Sequence, residues 1–177
     1  MNLTTLDALL VFLVGHKSQS GYDIRQMFQA TPLGTFSDSP GSVYPSLARL
    51  EARGLLASSA AAGGRRRRSY KRTASGQKAL VVWLERPIDA EANKRRAGEI
   101  ELRFVMIADI LGWPKAVQFL RAAEDAYASE LKTLEAYMAG PGATLDVASK
   151  ASVDLGMRTV RLRIAWCKET RTKTGKR

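Results

Sequence analysis

The sequence predicts a mainly α-helical protein in two parts: a winged helix-turn-helix, then an α-helical hairpin, antiparallel and coiled-coil-like, that pairs with a second copy. Three observations carry this. Helix-period segments separated by turn residues fill the first 86 residues, interrupted by one hairpin with a basic return strand. Residues 1–86 hold 12 Lys/Arg against 5 Asp/Glu, whereas residues 87–177 hold 16 against 12, so the positive excess leans to the front. Finally, two long periodic stretches are split by Gly140-Pro141-Gly142, a hard helix break. The expected organisation is 1–86 winged helix, 87–97 linker, 98–170 helical dimerisation region and 171–177 basic tail.

The totals narrow the partners. A net charge of +11 points to an acidic partner: nucleic acid, anionic membrane or acidic protein. Cys167 is the only cysteine, so no intrachain disulfide forms and a reducing compartment is expected. No run approaches the roughly 18 apolar residues that span a bilayer. The start has no basic region ahead of its apolar run and does not read as a signal peptide. A cytoplasmic protein without membrane contact is expected, the basic tail fraying in solvent.

Thr5 to Val14 is an apolar core helix that opens on a capping hydroxyl and stops before Gly15. Ser20 caps a second helix, Gly21 to about Ala30, with Tyr22, Ile24, Met27 and Phe28 as its apolar set. Thr31-Pro32-Leu33-Gly34-Thr35 breaks it. The third helix lies in Ser39 to Glu51. Pro45 leaves its start open: either Ser42 caps a late start, or Ser39 caps an early one that loses a hydrogen bond near Pro45. Val43, Tyr44, Leu47 and Leu50 share one face; Ser42, Ser46, Arg49 and Arg53 share another. Small hydroxyls and guanidinium forks without bulky apolar groups suit close approach to a DNA major groove.

Gly54 ends that helix. Leu55 to Ser59 is a weak strand, Ala60 to Gly64 a small tip, and Arg65-Arg66-Arg67-Arg68-Ser69-Tyr70-Lys71-Arg72 a return strand with six basic residues in eight. Thr73 to Leu84 is a closing helix. An arginine run is often only a solvated patch. Its place on a strand just after a hydroxyl-and-arginine helix favours duplex DNA: the helix meets base edges, and the wing neutralises phosphates and releases counterions.

Beyond the linker, Glu99 to Leu111 is apolar nearly all round, with Phe104, Ile107 and Leu111 on one side. Lys115 to about Ala139 carries a seam of Leu120, Ala123, Tyr127, Leu131, Leu134 and Met138. Thr144 to about Thr170 carries two stripes: Ala148, Ala151, Leu155, Leu162 and Trp166, and then Val153, Met157, Val160 and Ile164. One hairpin cannot cover both stripes and the helix before it. A partner chain would, and a winged helix reading a palindrome calls for a dimer.

At this level the chain resembles the PadR family of bacterial transcriptional regulators, in its longer form with a C-terminal helical dimerisation region. The resemblance rests on Gly21-Tyr22-Asp23-Ile24, Ser39-Pro40-Gly41-Ser42-Val43-Tyr44-Pro45-Ser46-Leu47, Arg49-Leu50-Glu51, Gly54-Leu55-Leu56, Arg67-Arg68-Ser69-Tyr70-Lys71 and Thr73 to Leu80. It is close over 4–84 and looser over 98–170. It implies a dimeric repressor of a target operator, released in many members by a phenolic acid or an aromatic, lipophilic effector. Carried over by position, Ser42, Tyr44 and Ser46 would touch the operator, Tyr22 would lie near phosphates, and Arg65 to Lys71, Tyr70 included, would form the wing.

The residues themselves add Arg49 and Arg53 as base or phosphate contacts, each bidentate to guanine at best. Met106, Trp113, Tyr127 and Trp166 are candidates for an effector pocket, although each suits plain core equally. An enzyme is a poor fit. His16 is the sole histidine, Cys167 has no histidine near it in sequence, and neither a metal-ligand cluster nor a phosphate loop is present, so no cofactor is expected. The alternative within the regulator class is control by redox chemistry at Cys167 or by a protein partner, or action as an activator.

Overall fold

A computed structural model describes residues 2–36, 41–60, 68–88 and 98–173. Most of the expected wing tip, the first three arginines of the return strand, Arg65 to Arg67, the candidate cap Ser39 and most of the linker and tail lie outside the described residues. The chain divides into two compact units, Met1–Arg86 and Pro87–Arg177.

In the first unit, α1 (Thr5–His16) starts on a capping box in which Asp7 N–H donates to Thr4 Oγ1 and Thr4 N–H to Asp7 Oδ2. Leu6, Ala8, Leu9, Leu10, Val11 and Val14 are buried, so this is the core helix that its composition predicted. It runs through Gly15 to His16, past the expected stop, because one glycine weakens a packed helix without ending it. A two-residue strand, β1 (Gln19–Ser20), follows; it was not expected. In α2 (Gly21–Ala30), Ser20 and Asp23 form a second capping box, and Ile24 and Phe28 point into the core.

A 3-10 turn over Pro32–Phe36 leads on to α3 (Val43–Ala52). The helix takes the late start. Pro45 sits in its first turn, where no N–H is needed, and Ser42 holds the cap position without a side-chain capping bond. Val43, Leu47 and Leu50 are buried. Gly54, at φ 69°, closes the helix in the left-handed region, and Leu55 N–H reaches back to Leu50 C=O at 2.9 Å.

Strands β2 (Leu56–Ala60) and β3 (Arg68–Arg72) pair antiparallel from Leu56↔Arg72 to Ala60↔Arg68. With β1 added on the far side of β3, the order is β1-β3-β2. Helix α4 (Ala74–Glu85) is capped by Thr73, whose hydroxyl accepts from Gly76 N–H and donates to Gly54 C=O at 2.7 Å. The base of the wing is thereby tied to the end of α3.

Among the described residues, the second unit holds three α-helices and a 3-10 turn over Pro141–Thr144. In α5 (Glu99–Ile110), Ile100, Leu102, Met106 and Ile107 are buried. Helix α6 (Trp113–Ala139) starts two residues before the expected Lys115, since Pro114 is welcome in a first turn. Helix α7 (Val147–Thr172) starts later than expected, where Asp146 caps it by accepting from Ser149 N–H at 3.0 Å. Helices α6 and α7 run antiparallel: Arg161 pairs with Glu135 at 2.9 Å, and Arg171 and Lys168 both meet Glu124.

Only one stripe of α7 turns inward. Val160 is buried and Val153, Met157 and Ile164 are partly so, whereas Leu155 and Leu162 remain 66% and 70% exposed. Of the residues expected at a dimer surface, Ile107, Leu120 and Tyr127 are instead fully packed inside one protomer. They lie on faces already taken by neighbouring helices, which periodicity alone does not distinguish from a face that waits for a partner.

Candidate nucleic-acid interface

The outward face of α3 is made of Tyr44, Pro45, Ala48, Arg49 and Ala52, all exposed and recurring at helical spacing. Beside it, the first turn of α2 presents Tyr22, 45% exposed, with its hydroxyl accepting from Gln26 Nε2 at 2.9 Å. The Tyr44 ring leans on the backbone of Gly21: a Cβ there would come within 2.6 Å of the ring, so only glycine allows the contact. Arg25 adds a cation, its Cζ 5.9 Å from the Tyr44 ring centroid. Two aromatic hydroxyls and two guanidinium groups thus share one exposed surface built from α2 and α3. Periodicity groups Tyr22 and Tyr44 with the apolar residues of their helices, whereas the resemblance puts both at the operator; each lies on this exposed surface.

Two expected members are inside. Ser46 is buried at 4% exposure. Its hydroxyl accepts from Arg49 Nη2 at 3.1 Å, and the same nitrogen donates to Asp7 Oδ1 at 2.6 Å. Asp7 is fully buried on α1, so Arg49 has a covered inner edge and an exposed outer one. Tyr70 is also buried, on the middle strand of the sheet between Gln19 and Ser58, and burial raises its phenol pKa, with the Glu51 carboxylate adding to the effect. On a strand alternate residues face the core, and Tyr70 takes the core side while Ser69 and Lys71 take the other.

Ser42 is partly exposed ahead of α3, and Arg53 partly exposed at its C-terminal cap. Arg68 is exposed and meets Glu51 of α3 at 3.5 Å; Glu51 also accepts from Ser58 Oγ. Lys71 is exposed. The structure therefore brings Tyr22, Tyr44 and Arg49 together and sets Arg68 beside α3. It moves Ser46 and Tyr70 into supporting positions. Sequence reading missed Arg25 and Asp7. The Thr4-x-x-Asp7 capping pattern was the only signal for Asp7, and it gives no sign of the Arg49 contact.

The effector candidates divide similarly. Met106 and Tyr127 are completely buried. Trp113 and Trp166 are partly exposed and both meet the Phe104 ring edge-on, at 5.9 and 5.5 Å between centroids. Burial pushes the Cys167 thiol up to about 11, helped by the Glu124 carboxylate, which is the opposite of a reactive thiolate. Among the described residues, no group of three or more His, Cys, Asp or Glu is placed to hold a metal ion, and no helix is long and apolar enough to cross a membrane.

Three helices, a three-stranded sheet with a basic return strand and a closing helix define a winged helix-turn-helix, here followed by a helical unit. Residues 9–81 match the model of the transcriptional regulator PadR-like family. The match takes in most of the winged-helix unit and the motifs of the resemblance, and it is to a family of transcriptional regulators rather than of enzymes. Similar solved structures include the PadR-like transcriptional regulator BC1756 from Bacillus cereus, at 17% identity over 96% of this chain and 95% of that one, with TM-score 0.45. Bacillus subtilis PadR is similar in complex with operator DNA, at 20% identity over 97% and 98% with TM-score 0.45. It is also similar in complex with p-coumaric acid, at 20% over 94% and 93% with TM-score 0.42. Among curated proteins, none matches the sequence significantly.

Proposed function

We propose that this regulator binds a palindromic DNA operator as a homodimer, represses from it, and is released by a small aromatic or phenolic effector. The observation that carries the reading is the surface of Tyr22, Arg25, Tyr44 and Arg49, with the arginine-rich wing following in sequence. Tyrosine hydroxyls and guanidinium groups donate to phosphate oxygens, and α3 presents little else that would hold a groove away. Dimerisation through the helical unit is supported by Val147, Leu155 and Leu162, exposed apolar side chains along α7. Phe104, Leu111, Leu131, Leu134 and Trp166 are only partly covered and extend the surface available to a partner. The effector reading rests on the family resemblance and on Trp113 and Trp166 flanking Phe104. A redox trigger at Cys167 is disfavoured by the buried, protonated thiol.

The test is selection from a randomised duplex library with the full chain, read by sequencing, beside light scattering on the same preparation. The expected outcome is an inverted repeat with half-sites about one helical turn apart and a dimer mass at micromolar concentration. A monomer that retains DNA without sequence preference would overturn the proposal. Tryptophan quenching by a panel of phenolic acids tests the effector arm, and silence across the panel would count against it.

A further inference from the structure

Asp7 is the only acidic residue of α1 and has almost no solvent exposure. One of its carboxylate oxygens takes the Thr4 backbone N–H at 3.1 Å; the other takes Arg49 Nη2 at 2.6 Å. The same Nη2 donates to the buried Ser46 hydroxyl at 3.1 Å. An arginine nitrogen of this kind has two hydrogens, so both are committed within the protein. A guanidinium grips a guanine through two parallel N–H bonds, from Nη1 with Nη2 or from Nε with Nη2. Both pairings need Nη2. What stays free is Nε–H and Nη1, single prongs on the half-exposed outer edge of Arg49. Swinging the whole fork outward would leave an Asp7 oxygen and the Ser46 hydroxyl buried without their donor.

We propose that Asp7 is a specificity-determining residue: by tying up Nη2 through the Asp7–Arg49–Ser46 contact, it confines Arg49 to phosphate contact and withholds it from reading guanine. Asp7 acts through Arg49 and touches no DNA itself, so it is a positioning residue. The inference rests on the DNA-binding reading above. It chooses between the base and phosphate contacts that the sequence leaves open for Arg49, whose type and helical position suit a bidentate guanine contact but whose inner nitrogen is already in use.

The experiment is library selection with the full chain as wild type, Arg49→Ala, Asp7→Asn and the Asp7→Asn/Arg49→Ala double variant. Arg49→Ala should weaken all sequences alike, lowering the salt slope by about one per protomer, with the selected motif unchanged. Asp7→Asn frees the fork and should add a guanine preference of about tenfold at one position per half-site, absent from the double variant. Thr4→Ala removes the other side of the capping box without touching Nη2; it should lower the melting temperature and leave the motif alone. Should Asp7→Asn not fold, Ser46→Ala releases one Nη2 hydrogen and should give the same guanine signal at about threefold. Loss of a guanine preference in Arg49→Ala, or an unchanged motif in the folded Asp7→Asn or Ser46→Ala chain, overturns the inference. Wild-type protein without any motif overturns instead the DNA-binding reading on which it rests.

Discussion

The two units solve opposite problems. In the first, apolar residues of α1, α3 and α4 close on one another, and the face that α2 and α3 leave open carries tyrosine, arginine and small residues. In the second, the α6–α7 pair covers one stripe of α7 and leaves Leu155 and Leu162 in water. A unit that hides its apolar residues and shows donors is suited to a polar partner; one that shows leucines is suited to a second apolar surface. Charge follows the same division, since the front half has the larger excess of Lys/Arg over Asp/Glu.

The contrast can be broken most forcefully at α7. Replacing Leu155 and Leu162 together with Glu should weaken self-association by about a thousandfold or more, because four leucines leave a two-fold interface at roughly 1.5 kcal/mol each. Sedimentation velocity would read this as a monomer with an almost unchanged melting temperature. If the double variant remains a dimer, the exposed stripe is not the interface. In the first unit the converse holds: Leu47→Ala, at a fully buried position, should cost about 2–5 kcal/mol in urea unfolding. A loss below about 1 kcal/mol would mean that the reading helix is not anchored by its inner face.

A third measurement uses Cys167 as a probe of the α6–α7 packing. Its folded pKa, raised from 9.0 to about 11, exceeds that of the unfolded chain. The neutral thiol therefore contributes stability that is complete below about pH 9 and is lost as pH rises toward about 11, by at most about 1.4 kcal/mol per unit. Cys167→Ala should remove that slope. The smallest effect is expected at the wing: Arg66 and Arg67 replaced by Ala should weaken specific and non-specific DNA about equally, by about tenfold, and reduce the salt slope by about two per protomer. An unchanged slope in a binding titration would remove those arginines from the interface.

Local signals were legible and distant ones were not. Ser20 caps its helix as expected, and Thr4 and Thr73 cap theirs one residue ahead of or at the expected starts, because an N-cap bond spans three residues and is written in the adjacent sequence. The hairpin and the break at Gly140 were equally local. Strand β1 was hidden because two residues carry no alternation; its pairing with Tyr70 and Ser69 across 49 or more positions creates it. Ser46, expected on the outward face of α3, is inside, and periodicity groups the exposed Tyr22 and Tyr44 with apolar residues, because helical period sorts residues into faces without saying which neighbour covers each one. The Asp7–Arg49 contact joins positions 42 apart, and only the packing of α1 on α3 reveals it. In the candidate site, residue types and the arginine run were readable; which nitrogen of Arg49 remained available was not.

The buried Cys167 has a practical consequence. A sulfhydryl both enclosed and protonated at neutral pH reacts sluggishly with maleimides, so the native chain offers little background to thiol-directed dyes. A new cysteine at an outward position such as Ala48 or Ala52 would then accept a fluorophore almost alone. Distances between two such labels would report how the reading helices of paired copies are spaced, with and without added small molecules.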